Sequence, residues 1–430
     1  MLKEFLKKIV IFILTTESKF ILRKYKPKIV AVTGTVGKTS TKDAISFILA
    51  TKFNVRKSEK SYNSELGVPL TIIGAKSAWN NVFEWLTIFI KGIKVLIKEE
   101  HYPQWLVLEM GVGKPKDMER LVSWISPNIA VFTALTEIPV HVEKFQSPEE
   151  LIREKTKLMT SLKKDGYLIL NGDDKMISEL KRGTEAKIIT YGFTEELDLI
   201  ASNYNLSSDG IGFKIDYKRN IIPVRMPNVF GKQYVYTALA ALAVGISLEL
   251  NLVETVEAIS KFKPPPGRLN LLEGIKNSFI LDDTYNSSPI AVLAALEVLK
   301  NLPAERKIAV LGDMLELGKF TIEEHKRVGR WVKEYNVDLL FMVGPRAKFI
   351  ADEARAMNFP AENIFEFSNS EEAKTSLQEK IKQGDLILIK GSQAMRMEKI
   401  VEEIMAHPEL KEQLLVRQEK EWLNKVGPIV

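Results

Sequence analysis

KIVAVTGTVGKTSTKDAISFI, residues 28–48, decides how this 430-residue chain is read. It opens on an apolar run, Ile29-Val30-Ala31-Val32, short enough for a buried strand. A glycine turn follows, Gly34-Thr35-Val36-Gly37. Then Lys38, Thr39 and Ser40 open a helical pattern with Ala44, Ile45 and Ile48 on one face. Strand, glycine loop and helix N-terminus form a phosphate cradle. The loop amides and the helix dipole face the anion, and glycine lets the backbone come close. Lys38 is placed to reach the outer phosphates and Thr39 to hold Mg²⁺ through its hydroxyl. The full Walker spacing asks for one more glycine where Val32 and Thr33 stand, so only GxxGKT is present. A plain strand–helix turn with a surface lysine competes for this stretch. The agreement of strand, loop and helix weighs against it.

Around this stretch the composition is that of a globular protein, 45% hydrophobic and 27% charged, long enough for two or three domains. With no Cys, disulfides, thiolate metal sites and a thiol nucleophile are excluded, and four His leave little for imidazole-based metal chemistry. The net charge of +6 is not spread evenly. Residues 1–28 hold eight of the 61 Lys and Arg and two of the 55 acids, so the remainder balances at 53 of each sign. A neutral body argues against nucleic acid as a partner. The arm itself, MLKEFLKKIVIFILTTESKFILRKYKPK, reads as a basic amphipathic helix. Its apolar core, Ile9 to Leu14, is too short to span a bilayer, and no small-residue cleavage site follows it. It either docks on the protein's own surface or makes peripheral membrane contact at an anionic interface.

Further along, SYNSELGVPLTIIG (61–74) suggests a loop near the phosphate site, with Asn63 before a Gly67-Val68-Pro69 turn. Residues 79–98, from Trp79 onward, are unusually apolar and read as a core or interface helix, with a membrane-facing helix as the sharper option. Trp105 to Gly111 is an apolar strand ending in Glu109, where a carboxylate contacts Mg²⁺ in P-loop enzymes. Ile129 to Thr133 is another strand, leading to His141 and Glu143 in the loop IPVHVEKF, at the kind of strand end where α/β proteins place ligands. Ser147-Pro148-Glu149-Glu150 starts a helix carrying Lys155 and Lys157, which taken alone are solvated lysines. A strand near 166–171, a β-rich stretch over 186–226 and an alanine-rich buried helix over 230–246 follow.

Lys263-Pro264-Pro265-Pro266-Gly267-Arg268 reads as a stiff linker and domain boundary. Beyond it strands are expected near 278–283, 307–312, 338–343, 363–367 and 385–390. They alternate with helices near 289–300, 322–335, 346–357, 371–382 and 394–405, which means an open, mostly parallel sheet. The tail after Pro408 reads as a charged helix. The expected fold class is α/β: a P-loop central domain (28–266) with a mostly parallel sheet, and a C-terminal Rossmann-like α/β domain (267–430), behind an arm over 1–27.

GTVGKTST, YNSELGVPLT, LEMG, PVHVEKF, PPPGR, LDDTYNSSP, LGDMLELG and IKGS occur in this order from about Lys28 to Glu403. Together they resemble the Mur ligases, and among them the D-alanyl-D-alanine-adding branch. The resemblance implies ATP-dependent formation of an acyl phosphate on a muramoyl-peptide carboxylate, then attack by the amine of a D-amino-acid dipeptide. It implies ATP binding by Gly34, Thr35, Gly37, Lys38, Thr39 and Ser40, with Asp283 and Asn286 near the ribose and adenine. It places two Mg²⁺ on Thr39, Glu109, His141 and Lys155, the last as a carbamate that turns a cation into a metal-binding anion. Arg268 is implied to contact phosphate when the domains close, so that Lys38, His141, Lys155 and Arg268 carry the catalysis. Asn63, Lys390 and Ser392 are implied to face the substrates, in a monomer.

Three departures qualify the resemblance. The family's UDP-binding N-terminal domain has no counterpart ahead of the arm, Ser61 and Ser64 stand where relatives carry more Asn, and Gly231-Lys232-Gln233-Tyr234 with Thr237 replaces a His-Asn pair and a later Asn. The expected setting is cytoplasmic, at the inner face of the membrane. Three functions compete with D-alanyl-D-alanine ligation: another Mur-like amino acid ligase (folylpolyglutamate-type or acting on another wall polymer), a membrane-associated P-loop ATPase, and a degenerate scaffold. No guanine-reading Asn-Lys-x-Asp motif is present. Intact Lys38, Thr39, Glu109, His141 and Lys155 weigh against a degenerate scaffold.

Overall fold

The computed structural model describes residues 2–59, 61–78, 81–98, 101–181 and 184–423, so Trp79 and residues 424–430 lie outside the described residues. Two open sheets organise them. The first contains β1 (Lys28–Thr33), β2 (Val55–Lys57), β3 (Trp105–Glu109), β4 (Ile129–Phe132), β5 (Tyr167–Asn171), β6 (Lys187–Gly192), β7 (Leu199–Ser207), β8 (Gly210–Tyr217) and β9 (Asn220–Pro227). Its order is β2-β3-β1-β4-β5-β6-β7-β8-β9. The pairs from β2 to β7 are parallel, and β7, β8 and β9 close the sheet as an antiparallel meander.

Parallel strands sit inside a sheet covered on both faces, so they read as unbroken apolar runs. β1 shows why. Val30 and Val32 turn to one face and pack with Ala44 and Ile45 of helix α2 (Lys38–Leu49) and with the buried helix Gln233–Ser247. Ile29 and Ala31 turn to the other face. There they meet Leu14 and Ile21 of α1 (Leu2–Tyr25), Val68 and Leu70 of α3 (Gly67–Ile73), and Ile88 and Val95 of α4 (Val82–Lys98). Of the two expectations for the arm, docking on the protein's own surface is therefore what the structure shows for the buried face of α1.

The second sheet holds β10 (Asn270–Gly274), β11 (Ser278–Asp283), β12 (Arg306–Gly312), β13 (Leu339–Val343), β14 (Ile364–Phe367) and β15 (Asp385–Lys390), in the order β10-β11-β15-β12-β13-β14. All its pairs are parallel except β10 with β11. β10 has no forecast in the sequence because it follows directly on the proline run, and its edge position leaves it only partly buried. The last forecast helix begins later than expected. A 3-10 turn at Gln393–Met395 precedes Glu398–Ile404, with Arg396 in the left-handed region between them. The tail is not one helix. Leu415, Val416 and Arg417 are buried between short turns, and Arg417 donates to the carbonyls of Thr284 and Tyr285.

Candidate active site at the phosphate loop

β1 lies between β3 and β4, the position in the first sheet where connections leave in opposite directions and where α/β sheets open a crevice beyond their strand ends. The loop from Gly34 to Gly37 fills that crevice. Gly34 has φ +148°, and a Cβ there would lie 2.1 Å from the Thr133 hydroxyl at the end of β4. Gly37, with φ +81°, starts α2 in the left-handed region. Glycine is required at both for different reasons: close approach at one, backbone conformation at the other. The Thr133 hydroxyl donates to the carbonyl of Val36 (2.6 Å) and fixes the loop.

Register places the acidic partner. Val32 pairs with Glu109 across β1 and β3, so the carboxylate emerges beside the first turn of α2. The Thr39 hydroxyl donates to Glu109 Oε2 (2.9 Å), and Asn63 Nδ2 donates to Oε1 (2.8 Å). Both carboxylate oxygens are thus held, and Glu109 is buried. Ser61 lies 3.4 Å from the Thr39 hydroxyl and also bonds the Tyr285 hydroxyl, which comes from beyond β11. Arg268 donates to the Thr39 hydroxyl (3.2 Å), and its guanidinium stacks on the Tyr285 ring at 4.0 Å. The Tyr234 hydroxyl donates to the Arg268 carbonyl (2.5 Å) and lies near Ser40. Residues on both sides of the proline run therefore converge on Thr39.

The charges do not balance. Lys38 donates to the Thr35 carbonyl (3.0 Å), and Lys155, only 2% exposed, donates to the Gly34 carbonyl (2.9 Å). Desolvation pulls the Lys38 ammonium below the usual lysine range, with Glu109 opposing and Arg268 adding to the fall. Burial pulls Lys155 well below it, with help from Lys38 and against Glu109. Three cations thus surround one carboxylate. Thr35 Oγ1 and Arg268 Nε are buried and have no partner among the described residues. Uncompensated positive charge with orphaned donors fits a polyphosphate. The Thr39 hydroxyl and Glu109 carboxylate, both hard oxygen donors, fit Mg²⁺, which takes one or two protein ligands and fills its octahedron with water and phosphate oxygens.

The other sequence-stated residues fall elsewhere. His141, in the left-handed region at φ +74°, sets its Nδ1 2.7 Å from Glu316, which Lys144 also approaches at 3.7 Å. The imidazole thus lies beside the loop after β12 rather than beside Glu109, and its Nδ1 is buried without a well-formed hydrogen bond among the described residues. No group of three or more His, Asp and Glu gathers as a metal cage among the described residues. Lys157 pairs with the exposed Glu119 and the buried Glu154. Lys390, fully buried, bonds Asp283 (2.7 Å) and the Asn286 carbonyl (2.8 Å), while Ser392 accepts from the amide of Leu315 (2.9 Å). Sequence reasoning missed Tyr285 and Arg417. Tyr285 sits inside the LDDTYNSSP block between Asp283 and Asn286, where an aromatic facing Arg268 was open to notice. Nothing local marks Arg417.

Comparison with known proteins matches residues 32–85 and 91–245 to the Mur ligase middle domain, and residues 267–393 to the Mur ligase, glutamate ligase domain. The chain belongs to the Mur ligase family. It is an ATP-dependent ligase that forms amide bonds, as the enzymes of peptidoglycan precursor assembly do. It is 28% identical over 394 residues to the UDP-N-acetylmuramoyl-tripeptide–D-alanyl-D-alanine ligase of Bacillus subtilis, covering 91% of this chain and 79% of that relative. In fold it is similar to MurF from Acinetobacter baumannii, with TM-score 0.76, 23% identity and coverage of 90% and 79%. It is also similar to the MurF ligase of Thermotoga maritima in complex with ADP, with TM-score 0.74, 24% identity and coverage of 91% and 83%. The Mur ligase fold accounts for a P-loop sheet followed by a second parallel sheet, and this chain has both.

Proposed function

We propose that this Mur ligase joins the carboxylate of a muramoyl tripeptide to the amine of D-alanyl-D-alanine. The observation that carries the reading is the meeting of Arg268 and Tyr285 with Thr39 and Ser61, which joins residues from both sides of the proline run at the glycine loop. Residues 28–266 would hold the nucleotide, and 267–430 would close over it. In the first step a carboxylate oxygen bonds the γ-phosphorus, the bridging P–O bond breaks and ADP leaves. In the second the amine nitrogen bonds the acyl carbon, the C–O bond breaks, inorganic phosphate leaves and the nitrogen loses a proton. Lys38 and Arg268 offset the charge of the phosphoryl group in flight, so no protein nucleophile is needed. Closure excludes water from the acyl phosphate.

The pair Thr39–Glu109 would hold one Mg²⁺, which supplies charge neutralisation at the phosphates when bound. Lys155 supports the carbamate reading: burial disfavours its ammonium form, the neutral amine it yields on losing a proton adds to carbon dioxide with release of a second proton, and the resulting anion would offset the remaining cations and serve a second Mg²⁺. A share in that second Mg²⁺ needs His141 to leave Glu316, and a nucleotide contact from Asp283 needs its carboxylate to turn from Lys390. The enzyme would act as a cytoplasmic monomer, with peripheral contact at the inner face of the membrane through residues 1–27. Phosphate release with ATP, a panel of muramoyl peptides and D-alanyl-D-alanine tests the reading. Release should require both acceptor and amine. Release independent of the amine would mark a plain ATPase, and release with a different amino acid another Mur-like ligase.

A further inference from the structure

α1 and α4 run side by side in the same direction, over α3. The Tyr25 hydroxyl donates to the Val95 carbonyl and the Lys24 ammonium to the Leu96 carbonyl, both at 2.5 Å. Near the middle of the pair Glu17 lies against Gly92, where any Cβ would fall 2.1 Å from its carboxylate. With Leu14, Ile21, Ile88 and Val95 turned inward, each helix shows an apolar stripe to solvent at helical spacing. On α1 it is Phe5, Ile9, Phe12 and Phe20. On α4 it is Phe83, Leu86, Ile90, Ile93 and Ile97. Phe12 is 72% exposed, Phe83 83% and Ile97 74%. Among the described residues, these two helices hold ten of the nineteen large apolar side chains that face solvent, which makes a patch rather than scatter.

The C-terminal part of α1, next in sequence to Phe20 of the stripe, lines a cleft of about 430 Å³, whose walls include Lys19, Arg23, Lys26, Lys163 and Trp124. No acid lines it. Among the described residues no carboxylate pairs with these four cations, and Lys163 reaches only the Asn128 side chain at 3.3 Å. On α4, Lys91, Lys94 and Lys98 accompany the stripe against the single acid Glu84. Apolar surface beside unpaired cations selects for an occupant that is apolar in one layer and anionic in the next. A second copy would bring two basic arms face to face, a like-charge contact that costs association. Nucleic acid has no use for the stripes. No helix among the described residues is long and apolar enough to cross a membrane, so contact would be interfacial.

We propose that α1, α4 and this cleft form one docking surface for an anionic phospholipid bilayer, with the stripes at the acyl boundary and the cleft on a headgroup phosphate. The inference deepens the membrane placement given above by adding α4 and a phosphate site, and it does not depend on the ligase chemistry. Full-length protein is sedimented with phosphatidylcholine vesicles with and without phosphatidylglycerol, over a salt series, with inorganic phosphate as a soluble competitor. Two variants accompany it: Arg23→Glu with Lys26→Glu in the cleft, and Phe12→Ser with Ile93→Ser in the stripes. Melting temperature and ATP turnover check that both variants are folded.

Wild-type protein is expected to partition onto the anionic vesicles alone and to be released by salt. The cleft variant should bind ~30-fold or more weakly, since each basic residue near an anionic surface is worth about a fivefold change. The stripe variant should bind ~10-fold more weakly. If the wild type binds no vesicle, both the arm reading and this inference fall. If it binds and the cleft variant matches it, this inference alone falls. Displacement from vesicles by millimolar inorganic phosphate would assign the cleft to free phosphate and overturn the lipid reading. So would a concentration-dependent dimer that the stripe variant abolishes.

Discussion

Two buried lysine sites at strand ends, one in each sheet, are built on opposite electrostatic plans. At the end of β15, Lys390 is matched by Asp283 at 2.7 Å and a carbonyl at 2.8 Å. Close by, Arg396 and Arg417 share the carboxylate of Glu398. At the end of β1, Lys38, Lys155 and Arg268 crowd around one carboxylate that is already held by Thr39 and Asn63. Burying charge without a partner is costly, so a fold keeps such a site only where a ligand completes it. The matched site has its counter-charge within the protein. The unmatched one is left for an anion, which in the proposed function is phosphate.

This contrast can be broken by substitution. The largest effect is expected from Lys38→Ala, which removes a cation aimed at developing phosphate charge: kcat for phosphate release should fall by ~10³-fold with little change in melting temperature. A loss of stability instead would place Lys38 with the matched pair. Lys155→Ala should cost ~10²-fold in kcat and recover in part with added short-chain carboxylates, which stand in for a carbamate; no recovery at any carboxylate concentration would remove that role. Lys390→Met should do the reverse of Lys38→Ala. It strands Asp283, so unfolding by urea should show a loss of about 3 kcal/mol.

The smallest expected effect sharpens the rule from a third position. Glu17 is buried between α1 and α4, one oxygen has no partner, and burial raises its pKa to about 7. The folded chain therefore holds a proton that the unfolded chain releases near pH 4.5. Stability from this group is full below that value and is lost as pH rises toward 7. Melting temperatures measured across that window should fall less steeply for Glu17→Gln than for the wild type. Parallel curves would show that Glu17 is solvated.

What could be read from the sequence depended on distance along the chain. The phosphate loop was legible because strand, glycines, Lys38 and Thr39 are contiguous, and Glu109 because it ends an apolar run. The parallel strands of the second sheet announced themselves as apolar runs between amphipathic helices. The pairing of His141 with Glu316 spans the two sheets, and no local pattern carries it. The same holds for Arg417, which returns from the tail to Thr284 and Tyr285. Edge strand β10 was hidden by its neighbouring prolines. The two readings of the arm were both rooted in real features: α1 has a face that packs and a face that does not.

The order β2-β3-β1 carries a consequence for how this enzyme can change over generations. Glu109 is positioned by the ladder between β3 and β1, while α3 and α4 belong to the crossover that leaves β2 and returns as β3. A ladder fixes its residues from within, whatever the length or character of the crossover. The part of that crossover beyond Asn63 can therefore lengthen, shorten or be exchanged while the carboxylate keeps its contacts with Thr39 and Asn63. If α4 docks on a bilayer as proposed, where the enzyme works and what it catalyses are written in largely separable parts of the chain, and selection can revise the first without reopening the second.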